Sequence, residues 1–127
     1  MATITAMGRG DLPNVANLST AQTGNGVSTN IADTGRGTGP VLLKITTAIG
    51  ATPTCTYAIE GSPDGTNWFA IPYADSATPT TVSVATFVIT TATTVWKLLE
   101  ANRPWRFARL SYSANTNVTN TADLTVF

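Results

Sequence analysis

The chain has 127 residues, with seven basic and seven acidic side chains and no histidine. That length suits one domain that buries its own core without metal or disulfide staples. A formal net charge of zero gives no electrostatic footprint for nucleic acid or an anionic membrane, so neither is expected as a partner.

Threonine is the most informative feature of the composition. It fills 25 of the 127 positions, whereas charged residues make up only 11%. The branched Cβ of threonine fits a pleated strand and its hydroxyl remains compatible with water, so a threonine-rich β-protein stays soluble with few charges. The composition therefore predicts an all-β protein.

The first third of the chain is polar and rich in glycine and asparagine. We predict that residues 1–40 form an N-terminal arm and extended loops with one or two short strands, and that residues 41–127 form the body of a single domain. Segments 2–7, 13–20 and 27–33 are the candidate strands. The arm is expected to lie on a neighbouring subunit through four residues: Ile4, Met7, Arg9 and Leu12.

The most strongly patterned stretch is a predicted hairpin over residues 55–73. A predicted strand at 41–49 and a predicted turn at 50–53 precede it, and Cys55 lies on its predicted buried face. In the turn, Pro63 fixes φ, Asp64 accepts hydrogen bonds from backbone N–H groups and Gly65 tolerates positive φ. Trp68 follows and is predicted to plug one end of the core.

The second half of the chain continues the β pattern. Residues 80–90 and 105–114 alternate as strands, 115–117 form a turn and 122–127 form the last strand. Residues 93–100 fit a strand or one helical turn, and their Thr-Thr-Val-Trp start favours the strand. Seven or eight strands separated by turns predict an antiparallel β-sandwich, jelly-roll-like in type.

The residues that usually carry catalysis are sparse. The absence of histidine removes the commonest general base and the commonest ligand of catalytic zinc. The seven carboxylates stand singly along the sequence, and no serine or threonine sits in a recognisable nucleophile turn. We therefore expect no enzymatic activity, no cofactor and no metal site.

Two segments resemble known proteins. Residues 57–68, Tyr-Ala-Ile-Glu-Gly-Ser-Pro-Asp-Gly-Thr-Asn-Trp, resemble a hairpin of small tailed-bacteriophage virion proteins that also occurs in discoidin-type carbohydrate-binding domains. Residues 105–112, Trp-Arg-Phe-Ala-Arg-Leu-Ser-Tyr, resemble the strand that follows it in both groups. The resemblance covers about a fifth of the chain and implies the scaffold more specifically than the function.

The first functional hypothesis is a structural virion protein, most similar to a capsid decoration or cement protein. It would bind the phage major capsid protein on the outside of the head and associate with itself as a dimer or trimer. Because the chain does not start with a basic segment and an apolar core, we expect synthesis in the host cytoplasm. The hypothesis of a decoration protein implies residence on the capsid surface.

Two alternatives remain open on the sequence. One is a tail or head-completion component of the same particle. The other is a carbohydrate-binding module of a phage adsorption structure, in which exposed aromatic rings form sugar platforms. The candidate platforms are Trp68, Tyr73, Trp96 and Trp105.

Overall fold

The computed structural model describes residues 3–6, 14–35, 39–99 and 105–127. These residues form eleven β-strands and no helix. In chain order the strands are β1 (Thr3–Ala6), β2 (Asn14–Gln22), β3 (Gly26–Val27), β4 (Asn30–Asp33), β5 (Val41–Ser62), β6 (Phe69–Ala70), β7 (Tyr73–Asp75), β8 (Val82–Ser83), β9 (Phe87–Ile89), β10 (Thr94–Leu99) and β11 (Phe107–Val126).

Two long strands form the axis of the fold. β5 and β11 pair in antiparallel register from one end to the other, with Val41 opposite Val126 and Ser62 opposite Phe107. Midway, residues 50–53 of β5 lie opposite the single residue 117 of β11, since Ile49 pairs with Val118 and Thr54 with Thr116. Extra residues on one strand of a pair bend it and increase its twist. The β5–β11 ribbon therefore bends at this point.

The bend divides the sheet into two layers. The first layer has the strand order β2, second half of β11, first half of β5, β10, β7 and β8. In the second layer, β3 and β4 pair with the first half of β11, whereas β9 and β6 pair with the second half of β5. β1 lies parallel to β4 at the edge of this second layer.

The core lies between the layers, and side-chain hydrogen bonds cross it. The Tyr57 hydroxyl of the second layer donates to Asn120 Oδ1 of the first at 2.6 Å, and both side chains are fully buried. The Tyr112 hydroxyl donates to Ser19 Oγ at 2.8 Å. The ring of Phe87 stacks on Tyr57 with their centroids 5.1 Å apart. These contacts hold the two halves of the bent ribbon face to face.

The prediction of an all-β sandwich is confirmed, and so are the strand character of residues 94–99 and the burial of Cys55. The predicted number of strands, seven or eight, is too low, because the described part of the chain has eleven, five of them only two or three residues long. The turns predicted at 50–53 and 115–117 are wrong. Both segments lie inside long strands, and their turn-forming residues produce the bend instead of a chain reversal.

The N-terminal third contributes more to the body than its composition predicts. Residues 14–22 form β2, which pairs with β11 along the first layer, and Ala16 and Leu18 of this strand are buried in the core. Their alternation with the outward residues Val15 and Asn17 gives the strand one buried face. Among the described residues, only β1 keeps the position of an arm at the edge of the sheet.

Candidate interaction surface

The turn after β5 is held by its own side chains. Asp64 Oδ1 accepts hydrogen bonds from the backbone N–H groups of Asn67 and Thr66, at 2.9 and 2.8 Å, and Asp64 Oδ2 accepts one from the Asn67 side chain at 2.7 Å. The backbone N–H of Asn67, then that of Thr66, lowers the pKa of Asp64 well below its ordinary value. Gly65 takes a φ of 81°. These hydrogen bonds fix the conformation of the turn.

Trp68 does not plug the core. Its ring is half-buried on the outside of the second layer, where the Arg109 guanidinium lies 4.0 Å from the ring centroid. The strand after the turn, β6, has only two residues, and both are exposed. The second strand of the predicted hairpin is therefore much shorter than predicted, and the buried tryptophan of the core is Trp105.

The predicted arm is partly visible. Ile4 lies in β1 opposite Ile31 of β4, and 53% of its surface is exposed. Met7, Arg9 and Leu12 lie outside the described residues. Ile4 is thus an exposed apolar side chain on the outermost strand of the second layer.

The outer surface of the second layer, which we call the second outer face, carries paired charges beside aromatic rings. Arg109 Nε donates to Glu60 Oε1 at 2.8 Å while its guanidinium covers Trp68. Arg106 donates two hydrogen bonds to the carboxylate of Asp33, at 2.8 and 2.9 Å. At the opposite side of this face, Val88 of β9 is 58% exposed. The pairing leaves a nearly neutral surface with apolar side chains at its edges.

The outer surface of the first layer, the first outer face, has a row of residues that crosses six strands and is apolar except for Thr125. The members lie directly opposite one another in register: Val15, Thr125, Leu42, Leu98, Ala74 and Val82. Val15 is 59% exposed and Val82 is 54% exposed. Leu42 and Leu98 are half-buried, and the residues next to them in the chain point inward and are buried. Apart from the polar Thr125 and the buried Ala74, this row gives the face a stripe of exposed or half-buried apolar side chains.

Two residues further along each strand, the first outer face becomes polar. Asp123 lies opposite both Asn17 and Lys44, and Lys44 lies opposite Trp96. Asn17 Nδ2 donates to Asp123 Oδ1 at 2.9 Å, and Lys44 Nζ lies 5.3 Å from the Trp96 ring centroid. Trp96 is 38% exposed. A row of threonines follows this charged row: Thr121, Thr46 and Thr94.

Two hollows open beside the first layer. One, of about 480 Å³, lies at the bend and is lined by uncharged residues, including Asn115, Asn117 and the exposed Ile49. The other, of about 300 Å³, lies beside Trp96 and has Asp75 and Lys97 in its wall. Both are open to solvent.

Of the four aromatic residues considered as sugar platforms, two are unsuitable. Tyr73 and Trp105 are buried in the core, and neither presents a ring face to solvent. Trp68 has one face covered by Arg109. Trp96 is 38% exposed and lies beside the smaller of the two hollows.

Within the described ranges, no three or more Cys, Asp or Glu side chains lie close enough together to hold a metal ion. No helix long and apolar enough to cross a membrane occurs in the part of the chain that the structure describes.

Comparison with known proteins gives a structural likeness. No protein-family model and no curated protein sequence matches the chain. The fold is similar to the crystal structure of the SPBc2 prophage-derived protein YomS, with a TM-score of 0.63 over 89% of this chain and 91% of that one. The two sequences are 9% identical, so the likeness establishes a shared fold.

Sequence reasoning did not find the two rows of the first outer face. The alternation at 41–49 is a local pattern, and it places Leu42 and Lys44 on the face opposite Leu43. The rows also depend on the register of β5 against β11, which brings together Lys44 and Asp123, 79 positions apart in the chain. No local pattern determines that pairing.

Proposed function

We propose that this protein is a structural component of a tailed-bacteriophage virion, and specifically a capsid decoration protein that clamps neighbouring coat subunits from outside. The observation that most supports the proposal is the fold shared with the prophage-derived YomS over nearly the full length of both chains. The resemblance of residues 57–68 to small phage virion proteins points to the same group. In this proposal the chain works by binding and performs no catalysis.

The two outer faces support a binding role. Each carries an exposed large apolar side chain, Val15 on the first and Val88 on the second, and a half-buried or exposed tryptophan. A protein that binds the assembled shell but not free coat subunits stabilises the shell by mass action. Repetition over many equivalent sites adds avidity.

We assign the coat-protein contact to β1 and the adjoining second outer face. β1 pairs with β4, which in turn pairs with β11, so Ile4 lies in the same layer as Trp68 and Arg109. Ile4 is a large apolar side chain with 53% of its surface exposed. An exposed apolar anchor on an edge strand suits insertion into a groove on the coat protein.

The test uses heads of the source phage assembled without this protein. Purified wild-type protein is expected to bind them at a fixed ratio to coat subunits and to raise the temperature at which they release DNA. Ile4→Asp should weaken binding by about tenfold, the equivalent of losing one anchor of ~1.4 kcal/mol. Val82→Asp, at an equally exposed valine on the far edge of the first layer, is the matched control and should bind normally.

Removal of residues 1–12 should reproduce the effect of Ile4→Asp while the circular dichroism of the sandwich stays unchanged. Wild-type protein that fails to bind heads would overturn the proposal. Equal binding by Ile4→Asp and wild type would remove β1 from the contact.

A second candidate function, glycan binding, is favoured by the exposed Trp96 beside its hollow. Ser76, Thr78 and Thr94 also line this hollow and supply hydroxyl groups near the ring. Stacking of a sugar on an exposed aromatic ring with hydroxyl groups beside it is an established mode of recognition. Titration of a glycan series against tryptophan fluorescence, with Trp96→Ala as the control, separates this function from head binding.

A further inference from the structure

The pattern of the first outer face has a symmetry of its own. The two central strands, β11 and β5, carry opposite charges at the same level, Asp123 and Lys44. On either side of them, β2 and β10 carry apolar residues at the level of the stripe, Val15 and Leu98. A line drawn between β11 and β5, parallel to the strands, therefore has an acidic residue on one side and a basic residue at the same level on the other. At the level of the stripe it has an apolar residue on each side, in β2 and in β10.

From this we infer that a second copy of the chain packs on the first outer face, across a two-fold axis parallel to the strands and midway between β11 and β5. This homodimer goes beyond the proposed function and does not depend on it, since no coat protein takes part. A two-fold interface uses the same patch on both copies and must be self-complementary.

The rotation brings unlike charges together. A two-fold axis parallel to the strands keeps each row at its own level and exchanges β11 with β5, so Lys44 of each copy meets Asp123 of the other. A two-fold axis running along the row would instead place Lys44 against Lys44. Electrostatic complementarity therefore selects the parallel axis, since like charges in contact are unfavourable.

The remaining contacts match in the same arrangement. In the apolar row, Leu98 of one copy meets Val15 of the other, and Leu42 meets Thr125, which offers its methyl group. In the charged row, Trp96 meets Asn17. Two sheets packed face to face with aligned strands lie about 10 Å apart, which is the spacing that side chains of this size fill.

The size of the face gives an estimate of the area that the dimer would bury. Four strands at about 4.8 Å and eight residues at about 3.3 Å give a patch of roughly 20 by 25 Å. Two copies would bury about 1,000 Å² in total, at the lower end of specific interfaces. We therefore expect a dimer that dissociates on dilution in solution. The high local concentration of the protein on a phage head would favour the dimer.

The test exploits the exchange of charges between copies. Lys44→Asp leaves two acids in the centre of the face and Asp123→Lys leaves two bases, so each variant alone should dimerise about tenfold more weakly than wild type or worse. Mixed in equal amounts, the two variants should restore a dimer, because each acid then meets a base of the other copy. A contact within one chain cannot produce recovery on mixing.

The readout is sedimentation equilibrium of the purified protein over a range of concentrations, with circular dichroism to verify folding. Val15→Asp should also abolish the dimer, whereas Val88→Asp, equally exposed on the second outer face, should leave it intact. A wild-type protein that is monomeric at every concentration would overturn the inference. So would two single variants that dimerise normally, or a mixture that does not recover. Head binding is measured separately, so its failure and the failure of the dimer are distinguishable.

Discussion

The buried hydrogen bond between Tyr57 and Asn120 tests the packing of the two layers most closely. Tyr57→Phe removes the hydroxyl that donates to Asn120 Oδ1 at 2.6 Å and leaves the ring and its stacking on Phe87 in place. Both partners are fully buried, so water does not replace the lost donor. An acceptor left without a partner in such a site costs about 1 to 3 kcal/mol.

A loss of that size corresponds to a fall in the melting temperature of roughly 3 to 6 °C for each kcal/mol in a domain of this length. The matched control is Tyr112→Phe, whose partner Ser19 Oγ still donates to Gln22 Oε1 at 2.6 Å. We expect this control to cost about 1 kcal/mol or less. Urea unfolding followed by tryptophan fluorescence gives both free energies of unfolding.

The double variant Tyr57→Phe with Asn120→Leu completes the comparison. Replacing both partners of a buried hydrogen bond by apolar groups of similar shape is nearly neutral, so the double variant should be more stable than Asn120→Leu alone. A cost below about 0.5 kcal/mol for Tyr57→Phe, the range typical of surface changes, would refute the facing arrangement of the two layers.

Three further predictions concern stability. Thr52→Gly should raise the free energy of unfolding by about 0.5 to 1 kcal/mol, because Thr52 has a φ of 45° that glycine adopts without strain. Thr54→Gly in the same strand is the control and should lower the free energy of unfolding. The opposite order of the two urea midpoints would contradict the bend. Gly61→Ala should lower the melting temperature, because a Cβ there would meet buried side chains at 2.8 to 2.9 Å. Overpacking of this kind costs about 1 to 3 kcal/mol. An unchanged melting curve would contradict the packing. Burial raises the pKa of all three tyrosines, to about 12 for Tyr112. The stability that they contribute is therefore complete below pH ~10 and is lost as the pH rises further. Equal urea midpoints at pH ~8 and pH ~11 would count against their burial.

Much of the fold is predictable because the alternation is local. The buried residues Leu43, Ile45 and Tyr57 stand in period-2 patterns that specify strands with one apolar face. The continuity of β5 is not predictable in this way. Gly50 and Pro53 are turn formers in any local reading, and only the pairing with β11 turns this segment into a bend.

The candidate surfaces are less predictable than the core. Trp68 follows a well-formed turn, yet its ring packs against Arg109 from a distant strand. The row through Asp123, Lys44 and Trp96 exists only because three strands, far apart in the chain, share one register. Local patterns specify which side chains face outward, whereas pairing between strands specifies which of them meet.

We propose that this chain is a structural protein of the phage head. The most direct measurement is its copy number in purified particles of the source phage, determined by quantitative mass spectrometry against the major capsid protein. We predict a fixed ratio to coat subunits, amounting to many copies per DNA-filled head. Absence from the particles, or only the few copies that fit a tail or a head-completion ring, would contradict the account.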